Sequence, residues 1–159
     1  MHSRFDAILP APFGKVGVRT EGETIREIVY LPAGTPPVAP ASAVAQRLAR
    51  QLEAYYADPD APLDVPLAAA GTGFQRRVWQ AIAAIPRGKV TTYGAMARGL
   101  ASVPRAVGQA CGSNAFPLVI PCHRVVAAGG LGGFAHHSED GFLLETKRWL
   151  LRHEGVLLI

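Results

Sequence analysis

Thirteen prolines and 17 glycines in 159 residues cut this chain into short pieces, and that punctuation limits what it can fold into. Proline locks φ and lacks an N–H, and glycine loses the most entropy inside a regular element, so both collect at turns and ends. Three β-favouring runs come first: Phe5 to Leu9, Lys15 to Thr20 and Ile25 to Leu31. Pro10-Ala11-Pro12 and Glu21-Gly22-Glu23 separate them. Pro32 to Pro40 holds four prolines and one glycine and reads as an irregular connector. Ser42 is a good N-cap for a helix to about Tyr56, with Val44, Leu48, Leu52 and Tyr55 on one face. Pro59, Pro62 and Pro66 mark a loop, and Ala68-Ala69-Ala70-Gly71 a domain seam. The expectation is an α/β domain over 1–70, a small antiparallel sheet plus a helix, followed by a second domain over 71–159.

The second half reads as mostly α. Thr72 with Gln75 three residues on fits a capping box, and Phe74, Val78, Ile82 and Ile85 form an apolar stripe beside Trp79. Pro86-Arg87-Gly88 ends that helix. Thr91 or Thr92 caps a short helix from Tyr93 to about Leu100, and Pro104 starts another towards Ser113. Two short helices joined by a tight turn make a helix-turn-helix. Leu118-Val119-Ile120 reads as a brief buried strand leading into Pro121-Cys122-His123-Arg124. Gly129 to Gly133 reads as a flexible loop, and the last helix runs from about Gly141 to Glu154, with Gly155 as its C′ residue.

Composition narrows the class. Hydrophobic residues make up 49% and charged residues 18%, enough apolar content for a packed core. A formal charge of +4 is compatible with a polyanionic partner without requiring one. Two cysteines, Cys111 and Cys122, cannot build a disulfide framework and point to a reducing compartment. The first residues form no secretory h-region, and no apolar run is long enough to span a membrane, so a cytoplasmic chain is expected.

Cys122 is the candidate nucleophile. A thiol reacts as its thiolate, and His123 and Arg124 beside it favour the anion, with His able to act as base. A lone Cys-His pair is more often inert filler, because cysteines are among the most buried residues. If the chain stayed extended there, the two side chains would point apart, so their cooperation needs a bend or a bridging water. Ala106, Gly108, Ala110 and Gly112 give the second helix of the helix-turn-helix an unusually small surface. It suits either packing against a neighbouring helix or close approach of its backbone to a narrow DNA groove; base-reading helices carry long polar side chains instead. Arg105 is the long cation at its start, suited to a phosphate or to insertion into a base stack. No Cys-x-x-Cys or His-x-x-x-His spacing occurs, and Gly129 to Gly133 lacks the context of a phosphate loop, so neither metal nor cofactor is expected.

Taken together, Gly73-Phe74-Gln75-Arg76-Arg77-Val78-Trp79, Gly88-Lys89-Val90-Thr91-Thr92-Tyr93-Gly94, Arg105-Ala106-Val107-Gly108 through Asn114, Pro121-Cys122-His123-Arg124-Val125 and Trp149 to Gly155 resemble the O6-alkylguanine-DNA alkyltransferases. The likeness is strong from Thr72 to Gly155; before that only the layout matches, which implies a ribonuclease-H-like N-terminal domain. The resemblance implies DNA repair by one stoichiometric transfer of an alkyl group from O6-alkylguanine, and possible action on O4-alkylthymine, to Cys122. It implies a monomer acting on double-stranded DNA after base flipping. His123, through water, takes the thiol proton and Glu154 orients it; Tyr93 donates to the departing guanine and Asn114 supports the site. Arg105, Ala106, Gly108, Ala110, Thr92 and Arg124 are the expected DNA contacts, with Arg105 filling the gap left by the flipped nucleotide. Val125, Cys111, Phe134 and Ala135 line the expected pocket.

This chain departs from the family pattern in three places. Its turn between Tyr93 and Arg105 is shorter, Phe134 stands where many members have Tyr, and His136 to Gly141 replaces a short Gly-Gly link. The longer stretch is expected to change which alkyl groups fit. Three other readings compete. An alkyltransferase-like damage-binding protein would lack Cys122; a redox-sensing helix-turn-helix regulator would carry base-reading side chains; a cysteine hydrolase would need an oxyanion hole.

Overall fold

The computed structural model describes residues 4–131 and 141–156. The chain divides into two compact units, residues 1–70 and 71–159.

The N-terminal unit is an antiparallel meander of β1 (Ala7–Ala11), β2 (Gly14–Glu21) and β3 (Thr24–Leu31), in the order β1-β2-β3. Strand β1 runs through Pro10, which pairs with Lys15, so the turn falls at Pro12-Phe13, later than the proline pattern predicts. An edge strand tolerates this, because a proline there need not donate to the ladder. Helix α1 (Ala43–Ala57) starts at Ser42, whose hydroxyl accepts from the Ala45 N–H. Its face of Val44, Ala45, Leu48, Leu52 and Tyr55 is buried, as are Val16, Val18, Ile25 and Ile28 of the sheet.

The C-terminal unit is mostly helical: α2 (Gly73–Ala83), α3 (Tyr93–Gly99), α4 (Pro104–Gly112) and α5 (Phe142–His153). Two short strands, β4 (Thr91–Thr92) and β5 (Val125–Val126), pair in parallel, and a single 3₁₀ turn spans Cys122–Arg124. The Thr72–Gln75 capping box is present in both directions, and α2 ends at Ala83, short of Ile85. Thr92 caps α3 by accepting from Ala95 N–H. Pro104 opens α4, and Gly155, at φ +87, closes α5 in the left-handed conformation that glycine adopts without strain. Ala101, in the short link between α3 and α4, lies at φ 53, a left-handed conformation that costs a non-glycine residue.

One expected strand is absent. Leu118 to Ile120 is a turn, with Leu118 buried and at φ 77, and Ile120 N–H bonds back to the Phe116 carbonyl. The chain reaches Cys122 already bent. No helix among the described residues is long and apolar enough to cross a membrane.

Candidate active site

Cys122 begins the 3₁₀ turn, its N–H bonded to the Ile120 carbonyl at 2.8 Å, and it is only 6% exposed. The bend removes the difficulty of an extended Cys-His pair, because successive side chains no longer alternate across a strand. His123 is 1% exposed, and its Nε2 lies 2.8 Å from Glu154 Oε2. A carboxylate only accepts, so Nε2 carries the proton and Nδ1 is left with its lone pair. That Nδ1 has no protein partner among the described residues. Burial pulls His123 below the usual imidazole range, against the opposing pull of Glu154, so the ring is a neutral base.

Glu154, fully buried as the C-cap of α5, is held from a second side. Arg124 Nε donates to Oε1 at 2.8 Å and its NH2 donates to Oε2 at 3.1 Å. Arg124 also donates to the Ile85 carbonyl at 2.6 Å, and Arg87 donates to the Glu154 carbonyl at 3.1 Å. Arg124 was expected among the DNA contacts. Its guanidinium instead turns inward, where a buried carboxylate needs a cation.

Asn114 braces the approach to the thiol. Its Nδ2 donates to the Ile120 carbonyl at 2.8 Å and its Oδ1 accepts from Phe116 N–H at 2.9 Å, which braces the turn before Cys122. Its side chain also favours the thiolate at Cys122. Burial acts the other way and raises the Cys122 thiol above its ordinary range. Tyr93, half-buried at the start of α3, is raised as well, chiefly by burial and then by the two thiols, so its hydroxyl stays protonated and able to donate.

Sequence reasoning missed Lys147. This lysine of α5 is fully buried, and its Nζ donates to the Val125 carbonyl at 2.8 Å and lies 5.8 Å from the centroid of the Tyr93 ring. Its position between Leu144 and Leu150 on the buried helix face was a signal available in the sequence. Of the expected pocket residues, Val125 is fully buried and Cys111 is 8% exposed at the end of α4.

Helix α4 sorts its small residues by face. Ala110 was expected on the DNA face but is 2% exposed, with its carbonyl accepting from Trp79 Nε1 at 2.9 Å; it packs inward towards α2. Ala106 and Gly108 lie at the surface with Arg105 exposed beside them, and a Cβ added at Gly108 would meet nothing within 4 Å. The Thr92 hydroxyl is used as a helix cap. Phe134 and Ala135 lie outside the described residues. Among the described residues no group of three or more His, Cys, Asp or Glu is placed to hold a metal ion.

Residues 73–156 match the family described as 6-O-methylguanine DNA methyltransferase, DNA binding domain. The chain belongs to the 6-O-methylguanine DNA methyltransferase family. Among its relatives in that family, the methylated-DNA–protein-cysteine methyltransferase of Salmonella typhimurium is 45% identical over 116 residues, 70% of this chain and 64% of that protein. The chain thus spans slightly under two thirds of that relative. The protein of the same description from Methanosarcina acetivorans is 35% identical over 157 residues, 94% of this chain and 97% of its own length. The crystal structure of Mycobacterium tuberculosis O6-methylguanine methyltransferase superposes with a TM-score of 0.76 at 31% identity, covering 92% of this chain and 90% of that one. A Mycobacterium tuberculosis OGT solved in complex with DNA is similarly close, at a TM-score of 0.75. The small antiparallel sheet and the helices are common to this family member and those structures.

Proposed function

We propose that this chain repairs DNA by moving the alkyl group of O6-alkylguanine onto Cys122, once per molecule. The observation that carries the reading is the buried Cys122 next to a neutral His123 held in one tautomer by the Glu154–Arg124 clamp. His123 Nδ1 takes the thiol proton through a water. The sulfur attacks the alkyl carbon, an S–C bond forms, and the C–O6 bond breaks with its electron pair going to the guanine. Tyr93 donates a proton to that leaving base and is reprotonated by the proton that His123 took up, relayed through water, so the net movement is one proton from Cys122 to guanine. The thioether is stable to water, which ends the reaction at one turnover.

The target atom is closed off inside a stacked duplex, so the base must rotate out, at about a few kcal/mol. The proposal assigns this to α3 and α4 as a helix-turn-helix on the minor groove. The bare surface at Ala106 and Gly108 lets the backbone come close, and Arg105 fills the vacated stack. The DNA-bound Mycobacterium tuberculosis neighbour supports DNA as the partner. A monomer in the cytoplasm belongs to the same proposal, supported by both cysteines being free thiols. A ribonuclease-H-like arrangement is proposed for the N-terminal unit, on its antiparallel meander followed by a helix.

Intact mass after incubation with an oligonucleotide bearing O6-methylguanine tests the reading. One methyl per protein, mapped to the Cys122 peptide, is the expected result, with Cys122→Ala binding the DNA but gaining nothing. Repeated turnover, or binding by the unaltered protein without gain of mass, overturns it.

A further inference from the structure

The site contains a buried cation that the transfer mechanism above does not use. His123 is neutral, and the Arg124 guanidinium is engaged by Glu154 and the Ile85 carbonyl. The thiolate therefore needs a positive charge from elsewhere, as a buried anion without one is costly. Helix α5 lies against the 3₁₀ turn and brings Lys147 to the Val125 carbonyl, three residues after Cys122, with the Tyr93 ring nearby. We propose that Lys147 is the counter-ion of the Cys122 thiolate, and that it is shared with Cys111, a second buried thiol whose ionisation competes with that of Cys122. This rests on Cys122 being the reacting thiol.

The groups around Lys147 come from four elements: Cys122 and His123 from the 3₁₀ turn, Cys111 from α4, Tyr93 from α3 and the Val125 carbonyl from β5. Burial lowers Lys147, Cys122 and then Cys111 oppose it, and the balance leaves the ammonium at about 8. Lys147 in turn favours the anion at both thiols, while Cys122 opposes ionisation of Cys111, which burial raises to about 12. Two thiolates beside one ammonium repel each other, so the site supports one at a time. Asn114 favours Cys122: it braces the turn that carries this thiol, and its side chain favours the anion there and not at Cys111. Lys147 is thus a positioning residue that acts through charge, and Asn114 selects the thiol that benefits.

Labelling of the full chain with iodoacetamide across pH, with each cysteine followed by peptide mass, tests this without damaged DNA. In Lys147→Met the pH midpoint of Cys122 labelling should rise by about one unit or more, a tenfold loss of rate at neutral pH. Lys147→Arg should recover most of that loss. Cys111→Ala should raise the reactivity of Cys122, because the competing thiol is gone; a lowered reactivity overturns the sharing. An unmoved Cys122 profile in folded Lys147→Met overturns the proposal. Should that variant fail to fold, lysine-selective ¹³C NMR of the unaltered protein gives the same answer. Carbamidomethylation of Cys122 removes the anion and should lower the Lys147 titration midpoint; an unchanged midpoint overturns the proposal. Neither readout depends on methyl uptake from DNA, so failure here and failure of the repair reading are distinguishable.

Discussion

The two units of this chain handle charge in opposite ways. Residues 1–70 carry six Lys and Arg against eight Asp and Glu, net −2; residues 71–159 carry ten against four, net +6, which together give the +4 of the chain. Among the described residues, the buried polar and charged side chains, His123, Thr146, Lys147 and Glu154, all belong to the C-terminal unit. The N-terminal unit, among the described residues, keeps the carboxylates of its ion pairs nearer water: Arg47–Asp64 is well exposed on both sides, and Glu27 is more exposed than its part-buried partner Arg19. Taking charge out of water weakens a fold unless partners are placed well, so a unit that does it repeatedly has traded stability for chemistry. The cationic surface on the same unit fits a polyanion, whose phosphates reward exposed Arg and Lys.

That contrast is easiest to break at its most buried carboxylate. Glu154→Gln takes the buried carboxylate away from His123 and the inward-turned, part-buried Arg124, and the expected loss is about 3–5 kcal/mol in urea unfolding. Asp64→Asn in the N-terminal unit, removing an exposed partner, should leave the unfolding midpoint close to where it was. Equal losses from both variants would show that the two units do not differ in the way described.

The pH dependence of stability sharpens the comparison. Lys147 falls from 10.5 unfolded to about 8 folded, so the unfolded chain holds the extra proton between those values. Its burial therefore costs stability below about pH 8, up to roughly 3 kcal/mol, and the cost fades as pH rises towards 10.5. Cys111 and Cys122 work in the other direction. Their folded values lie above the ordinary 9.0, so what they contribute is complete below pH 9 and is lost above it. Stability should climb from about pH 8 to 9 and then turn downward, because above pH 9 the native chain keeps two thiol protons against the one that Lys147 holds when unfolded; Lys147→Met should abolish the climb. His123, lowered from 6.5 by burial, should withdraw stability as pH falls below that value, because only the unfolded chain readily takes the proton. A unit prepared as residues 1–70 carries none of these groups, so a similar climb there would break the assignment.

The smallest effect separates fold from partner. Gly108 lies inside α4 with open space where a Cβ would go. Gly108→Ala should stabilise the chain by about 0.5–1 kcal/mol, through lower helix entropy cost. The same methyl should weaken DNA binding if the α4 backbone approaches the groove closely. Unchanged affinity in a binding titration at fixed salt would remove that face from the interface.

What was legible in advance was local. Ser42, the Thr72–Gln75 box, Pro104 and Gly155 act within a turn of their own positions, and each stands where the pattern put it. The expected strand at Leu118 failed because its left-handed backbone is imposed by surroundings that an apolar run does not encode. Arg124 and Ala110 were read outward and found inward, since the face that a helix or turn buries depends on what packs against it.

The sequence by itself determined the short elements, their caps, the basic second half and the order of motifs that ends in Cys122. Tertiary structure decided the ionic setting of that thiol. Glu154 meets His123 from 31 residues away, and Lys147 meets the Val125 carbonyl from 22. Charges that far apart in the chain affect one another only once folding has removed the water between them, and that is a property of the packed site.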